Sequence, residues 1–211
     1  MSAVNEGVRI GCVWIARLAW LNLLWLLFTL AGLVVLGIFP ATAAGYQIAR
    51  DLVHRPESRD EPMLPRFAAQ FRAGLVRANL AGWLILAIAV ALALALRLAW
   101  TAEGAAWQLP ALGVAVIASV VFVGGLVHLP FLAAHVSAPH AAIVRASWMY
   151  ALAHPVGTAA ICAAWVGLSF ALGAFPAAAL FFCFSPVAVL TALVDVRGFR
   201  LLEQRRAVVA A

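Results

Sequence analysis

Between Arg17 and Arg50 no side chain carries a formal charge. A spanning helix needs about 20 mainly apolar residues, rising ~1.5 Å each, to cross a bilayer core about 30 Å thick. The uncharged run is longer than one crossing requires, and Gly32, Gly37 and Pro40 punctuate it. Composition extends the constraint to the whole chain of 211 residues, which is 66% hydrophobic and only 10% charged. Soluble domains carry roughly 45–50% apolar and about 25% charged residues. So few charged groups cannot cover a water-facing surface, which excludes a soluble enzyme, a secreted disulfide scaffold and a disordered tail. The expected fold class is all-α: a polytopic transmembrane helix bundle of about five spans plus interfacial helices, forming one domain over residues 1–211.

All 14 basic side chains are arginine. A nucleic-acid binder would need them clustered as a stripe on a soluble face. Here they fall between apolar runs, where topology signals lie. Cys12, Cys162 and Cys183 are isolated from one another, so neither a zinc site nor a disulfide framework is suggested.

Spans are expected over residues 14–38, 80–100, 109–134, 157–175 and 178–194. Pro40 starts a short helix, Ala41 to Val53, in which Ala41, Gly45 and Ala49 recur four apart on one face. Small residues at that spacing let helix backbones approach closely. Residues 50–66 are the most densely charged stretch, hold three prolines, and are expected to form a solvated, cytoplasmic loop. Beyond it Phe67, Phe71, Leu75 and Ala78 make an apolar stripe opposed by Arg66 and Arg77, the pattern of a helix lying in the interface. Residues 137–156, with Arg145, Trp148 and Tyr150, form a second interfacial segment.

Five spans put 11 arginines on one side and leave Arg9, Arg17 and Arg97 on the other. The positive-inside rule then places the amino terminus outside and the carboxyl terminus in the cytoplasm. A competing scheme folds residues 10–49 as a broken hairpin, with both termini inside. Ala41-Thr42-Ala43 resembles a signal-peptidase site, but the apolar run before it exceeds the usual 7–15 residues. The order span, proline, interfacial helix, span occurs twice, which suggests a parallel repeat of residues 14–100 and 109–175. Pro40 pairs with Pro130, and Val76-Arg77-Ala78-Asn79 with Val144-Arg145-Ala146-Ser147.

The run Asn22 to Phe28, followed by Pro40-Ala41-Thr42-Ala43-Ala44-Gly45-Tyr46, resembles the amino-terminal signature of YesL-like bacterial membrane proteins. Phe67 and Phe71-Arg72 before the second span, and Ala153-His154-Pro155 before the fourth, are similar to that family's later pattern. The resemblance covers nearly the whole chain. It implies a bacterial inner-membrane protein that accompanies carbohydrate uptake and breakdown systems, and it carries no assigned activity or ligand residues.

Ionisable residues at bilayer depth are functional hypotheses by default. Glu103 and Asp195 are read as lying at span ends, so no carboxylate is expected at depth, which counts against an ion-coupled pump. Arg97, beside Trp100, is read as snorkelling to the interface. His128 is the most interior titratable group and is expected to be a hydrogen-bonded packing residue. It lies two turns before His135, a spacing wider than the i, i+4 of a helical metal pair. Ser169, in Gly167-Leu168-Ser169-Phe170, is expected to bond back to its own helix. Asn22 is read as polar glue between helices, on the order of 1 kcal/mol. Trp25, Pro40, Tyr46, His154 and Pro155 complete the polar or structural positions, and Arg72, Arg77 and Arg145 are the interfacial basic ones.

No catalytic, cofactor or metal constellation is expected, nor any nucleic-acid partner. The lipid bilayer and a membrane transporter component are the expected partners. The expected function is a non-enzymatic, transport-associated accessory, with a stand-alone carrier of a small neutral solute as the alternative.

Overall fold

A computed structural model describes residues 2–135 and 140–195. The basic tail with Arg197, Arg200, Arg205 and Arg206 lies outside the described residues, as does the start of the 137–156 segment. Everything described is helix and short connection: α1 (Ser2–Ala31), α2 (Ile38–His54), α3 (Met63–Thr101), α4 (Gln108–His135), α5 (His140–Ala153), α6 (Pro155–Ala174), α7 (Pro176–Phe182) and α8 (Ser185–Asp195). Four of them, in α1, α3, α4 and α6, are long and apolar enough to cross a membrane. The pair α7–α8, bent by 48° at its break, supplies a fifth candidate.

The first apolar run does not form one straight crossing. α1 ends at Ala31, the chain reverses through residues 32–37, and α2 returns antiparallel along α1. The reversal is tight enough that a Cβ on Gly32 would sit 2.4 Å from the Gly37 Cα, and one on Gly37 would sit 2.3 Å from the Thr29 carbonyl. Leu33 and Val34 take left-handed backbone angles inside it, costly for a β-branched residue. The Asn79 side chain of α3 donates 2.9 Å to the Leu36 carbonyl and closes the turn. At the opposite end the Arg17 guanidinium donates to the Arg59 carbonyl, and the Arg59 guanidinium lies 5.2 Å over the Trp14 ring. Arg17 and the 50–66 loop therefore share one end of the bundle. The helix expected over 14–38 runs instead over Ser2–Ala31, of which Asn5–Ala31 is long and apolar enough to cross a membrane, and the chain then folds back as a hairpin.

Ala41, Gly45 and Ala49 are buried, as the small-residue spacing requires, and Leu21, Leu24, Ile48 and Leu52 pack with them. α3 is one continuous helix of 39 residues, about 58 Å long at 1.5 Å per residue. Its first turns therefore extend well past a bilayer core. The Phe67–Phe71 stripe does not lie on lipid. Both rings are buried against Phe28 of α1, with centroids 5.1 and 5.0 Å apart. The interfacial reading of that stripe is corrected because the α1–α2 hairpin offers it a protein surface. Beside it the 50–66 loop is stapled: Asp51 pairs with Arg50 at 2.8 Å and with Arg66 at 2.6 Å.

The two prolines of the suggested repeat play different parts. Pro40 lies in the first turn of α2, after a chain reversal, whereas Pro130 lies inside α4. The echo is closer at Asn79 and Ser147, which reach back to the carbonyls of Leu36 and Gly125, each a few residues before its proline.

α8 is the most enclosed element. Phe184, Ser185, Val187, Ala188, Val189, Thr191, Ala192 and Asp195 are all buried. Its first half joins the core built by α1, α2 and α3, and Ala192 joins a second cluster with Leu132 of α4 and Ile143 of α5.

Candidate functional site

A helix broken in the interior of a membrane bundle leaves unpaired carbonyls at one end and unpaired N–H groups at the next. Water is not there to satisfy them, so such breaks persist only where protein does. Between α7 and α8 a single side chain does most of this. The Asn22 amide nitrogen donates to the Leu180 carbonyl at 3.0 Å and to the Ala179 carbonyl at 3.3 Å. Its oxygen accepts the Phe184 N–H at 2.8 Å and the Ser185 N–H at 3.3 Å. Both halves of the carboxamide are used, in one orientation only, because carbonyls need the NH₂ and N–H groups need the oxygen. Asn22 is polar glue as the sequence suggests, but it bonds backbone at a helix break.

Phe184, the hinge residue of that break, is held on three sides. Trp25 stacks on it at 5.3 Å and 10°, while Tyr46 meets it edge-on at 5.4 Å. Gly45 lies beneath, where a Cβ would approach the ring to 2.4 Å. The Trp25 indole N–H donates to the Thr42 hydroxyl at 3.0 Å, fixing the ring's tilt. Pro40 is buried one turn earlier in α2. Thus four positions singled out from the amino-terminal run converge on α8 or the helix that supports it.

The other end of α8 carries the titratable groups. Asp195 is fully buried, and its Oδ1 lies 2.8 Å from Nδ1 of His128, which is also fully buried. The second ring nitrogen of His128 lies 2.9 Å from the Thr158 hydroxyl of α6. Tyr150 of α5 donates its hydroxyl to the Asp195 carbonyl at 3.2 Å, and its ring meets His128 edge-on at 5.0 Å. His154, the residue before α6, lies 4.5 Å from the Tyr150 ring, and Pro155 takes the first helical position after it. Midway along α8, Thr191 bonds the Tyr46 side chain. A polar seam therefore runs the length of α8, with contributions from α1, α2, α4, α5 and α6.

Asp195 is the correction that matters most. A carboxylate does lie inside the bundle, because the α7–α8 break turns α8 inward and sets its end against α4. His128 is hydrogen-bonded, as expected, yet its partner is that carboxylate. Among the described residues, Oδ2 of Asp195, Nε2 of His154 and the Ser185 hydroxyl are buried without a hydrogen-bond partner. Thr158, Phe184, Ser185 and Thr191 give no sequence signal beyond being ordinary members of apolar runs. Asp195 could have been found from His128, since an imidazole in an uncharged run needs a partner.

Other positions stay apart from the seam. Arg72, Arg77 and Arg145 are exposed, and Arg97 lines a shallow apolar groove with Leu96, Trp100, Leu112 and Val116. The Ser169 hydroxyl donates to the Trp165 carbonyl at 2.8 Å within its own helix. Among the described residues no group of three or more His, Cys, Asp or Glu is placed to hold a metal ion.

Long apolar helices around a buried, broken one define a multi-pass helical membrane protein. The chain belongs to the family described as protein of unknown function DUF624, whose model matches residues 18–96. It is similar to the uncharacterized protein YesL of Bacillus subtilis (strain 168), 29% identical over 97% of this chain and 95% of that protein. It is also similar to the uncharacterized protein YteU of the same organism, 33% identical over 82% of this chain and 77% of that one. The uncharacterized protein YesV of that organism matches over 38% of the chain at 33% identity. No solved structure matches the chain.

Proposed function

We propose that this chain is a non-enzymatic, transport-associated component of a bacterial inner membrane, acting foremost as an accessory to a transporter. The observation that supports this is α8: a half-length helix, broken from α7 and enclosed by helices from both halves of the chain. Broken helices at the centre of a bundle are the usual location of sites in transport proteins. The link to carbohydrate uptake rests on the family resemblance alone. The exposed arginines on α3 and α5 (Arg72, Arg77 and Arg145) supply a charged face for docking a partner near the headgroups.

The orientation proposed follows the positive-inside rule on the hairpin geometry. Arg9 and Arg17 join the 50–66 loop, leaving Arg97 as the one arginine at the far end among the described residues. Both termini then lie in the cytoplasm.

Affinity purification of the full chain from native membranes in mild detergent tests the accessory role. A stoichiometric transporter component should come with it. Recovery of the chain alone overturns that role and favours the second reading, a stand-alone carrier of a small neutral solute. That reading draws on the buried, unpartnered Ser185 hydroxyl beside the break. Uptake into proteoliposomes containing only this chain would establish it.

A further inference from the structure

We infer that His128 and Asp195 form a proton-binding site whose occupancy sets the position of α8. This extends the transport reading by naming the proton as a ligand of the seam. The test below reads proton binding directly and does not depend on transport.

The hydrogen-bond pattern limits where protons can be. Thr158 has one hydroxyl proton, which the carbonyls of His154 at 3.1 Å and Ala151 at 3.3 Å can accept. With the hydroxyl so turned its oxygen accepts, and the facing Nε2 of His128 carries hydrogen. That leaves Nδ1 facing Asp195 across 2.8 Å. The gap holds one proton, on the carboxyl or on the ring, and the pair is net neutral either way. Neutrality matters because both side chains are fully buried, where an uncompensated charge is strongly disfavoured.

Removing that proton passes it to water and leaves the pair with one uncompensated negative charge. The neutral imidazole can still donate Nδ1–H to the carboxylate while the Thr158 hydroxyl turns to Nε2, so the contact persists but the buried charge is no longer balanced. Among the described residues, the other titratable groups near Asp195 do not replace it. Tyr150 of α5 already gives its hydroxyl to the Asp195 main chain, and Tyr46 of α2 is hydrogen-bonded to Thr191. His154, at the α5–α6 joint, packs on Tyr150 with Nε2 buried and unpartnered among the described residues, so that nitrogen makes no bond to Asp195. The unbalanced charge therefore drives the end of α8 away from α4. α8 has only 11 residues, and its other end begins at the break held by Asn22. A shift at Asp195 is thus delivered to Phe184 and Cys183.

The test uses the full chain in lipid nanodiscs with ¹⁵N-labelled histidine, in a background where Cys12→Ala and Cys162→Ala leave Cys183 as the remaining thiol. His128 resonances are assigned with His128→Gln and followed against pH, and Cys183 labelling by a maleimide is measured over the same range. The expected result is one His128 transition, with Cys183 labelling rising along the same curve as the proton leaves. Asp195→Asn, whose amide can still donate to Nδ1, should abolish the matched transition and make labelling independent of pH. If that variant does not fold, His128→Gln serves instead: its side chain can still bond Asp195, but the carboxyl then loses its proton alone, so the labelling transition should move to a different pH. The inference is overturned if His128 titrates identically in wild type and Asp195→Asn. It is equally overturned if Cys183 labelling is flat with pH in the wild type, or keeps the wild-type pH dependence in either variant.

Discussion

The Asn22 side-chain oxygen of α1 lies 2.8 Å from the Phe184 backbone nitrogen, joining residues 162 apart in the sequence at the start of α8. The same carboxamide holds the last carbonyls of α7. Replacing it by alanine would leave the Phe184 and Ser185 N–H groups and the Leu180 carbonyl short of partners inside the bundle, while the Ala179 carbonyl keeps the Cys183 N–H. Each buried orphan costs about 1–3 kcal/mol. Asn22→Ala is therefore expected to lower thermal stability in detergent clearly, with Asn22→Leu no better although its volume is similar. Melting temperatures followed by tryptophan fluorescence decide the matter. Equal stability of wild type and Asn22→Leu would show that α7 and α8 satisfy their own ends.

Close approach at Gly45 yields a second expectation. The Phe184 ring cannot retreat, because Trp25 and Tyr46 occupy its other faces. A Cβ at Gly45 would come within 2.4 Å of it, whereas one at Gly74 on α3 meets nothing within 4 Å. Overpacking a filled core typically costs 1–3 kcal/mol, so Gly45→Ala should destabilise by about that much. Gly74→Ala should be neutral or stabilising by up to about 1 kcal/mol, from helix propensity alone. The paired melts check both signs in one protein.

How much of this was readable from the sequence depended on contrast. Asn22, Gly45 and Tyr46 stand out because a polar or small residue in an apolar run is conspicuous, and each touches α7 or α8. Gly32 and Gly37 were visible as punctuation, yet hydropathy is the same for a straight helix and for one that folds back. The packing of α2 back on α1, with the Trp25–Thr42 and Arg17–Arg59 bonds, distinguishes the two. Asp195 was hidden for the opposite reason. An acidic residue closing an apolar run before a basic tail reads as a span end. Whether it is solvated depends on the α7–α8 bend and on His128, 67 residues away. The Phe67–Phe71 stripe was seen correctly as amphipathic, but a stripe does not name the surface that covers it.

Asp51 should govern the order of the polar loop. Its carboxylate ties Arg50 at the end of α2 to Arg66 in the first turns of α3, with all three side chains largely shielded. Arg66 also reaches Glu61 at 3.3 Å. Partly exposed pairs of this kind contribute up to about 1 kcal/mol, more where a network forms. Asp51→Asn should cost global stability little and loosen the loop, seen as faster cleavage by a protease acting on the arginine side of residues 55–59. The effect should shrink in high salt, which weakens the wild-type network too. Unchanged cleavage would show that the Arg59 bond to the Leu52 carbonyl holds the loop without Asp51.

The antiparallel α1–α2 hairpin makes a topological prediction that a straight first crossing does not. Arg17 reaches the Arg59 carbonyl, so the amino-terminal part of α1 lies at the same end as the 3₁₀ turn Pro56–Arg59. α3 then carries the chain to the opposite end at Thr101, where Glu103 and Gly104 turn it back. Single cysteines in place of Arg9, Glu57 and Glu103, in a background with Cys12, Cys162 and Cys183 replaced by alanine, report these three points. Arg9→Cys and Glu57→Cys should be labelled from one side of intact vesicles by an impermeant maleimide, and Glu103→Cys from the other. On the orientation proposed from the positive-inside rule, the Arg9 side should be the cytoplasmic one. Labelling of Arg9→Cys and Glu57→Cys from opposite sides would restore a single crossing through residues 14–38, which Arg17 and Arg59 could then no longer bridge.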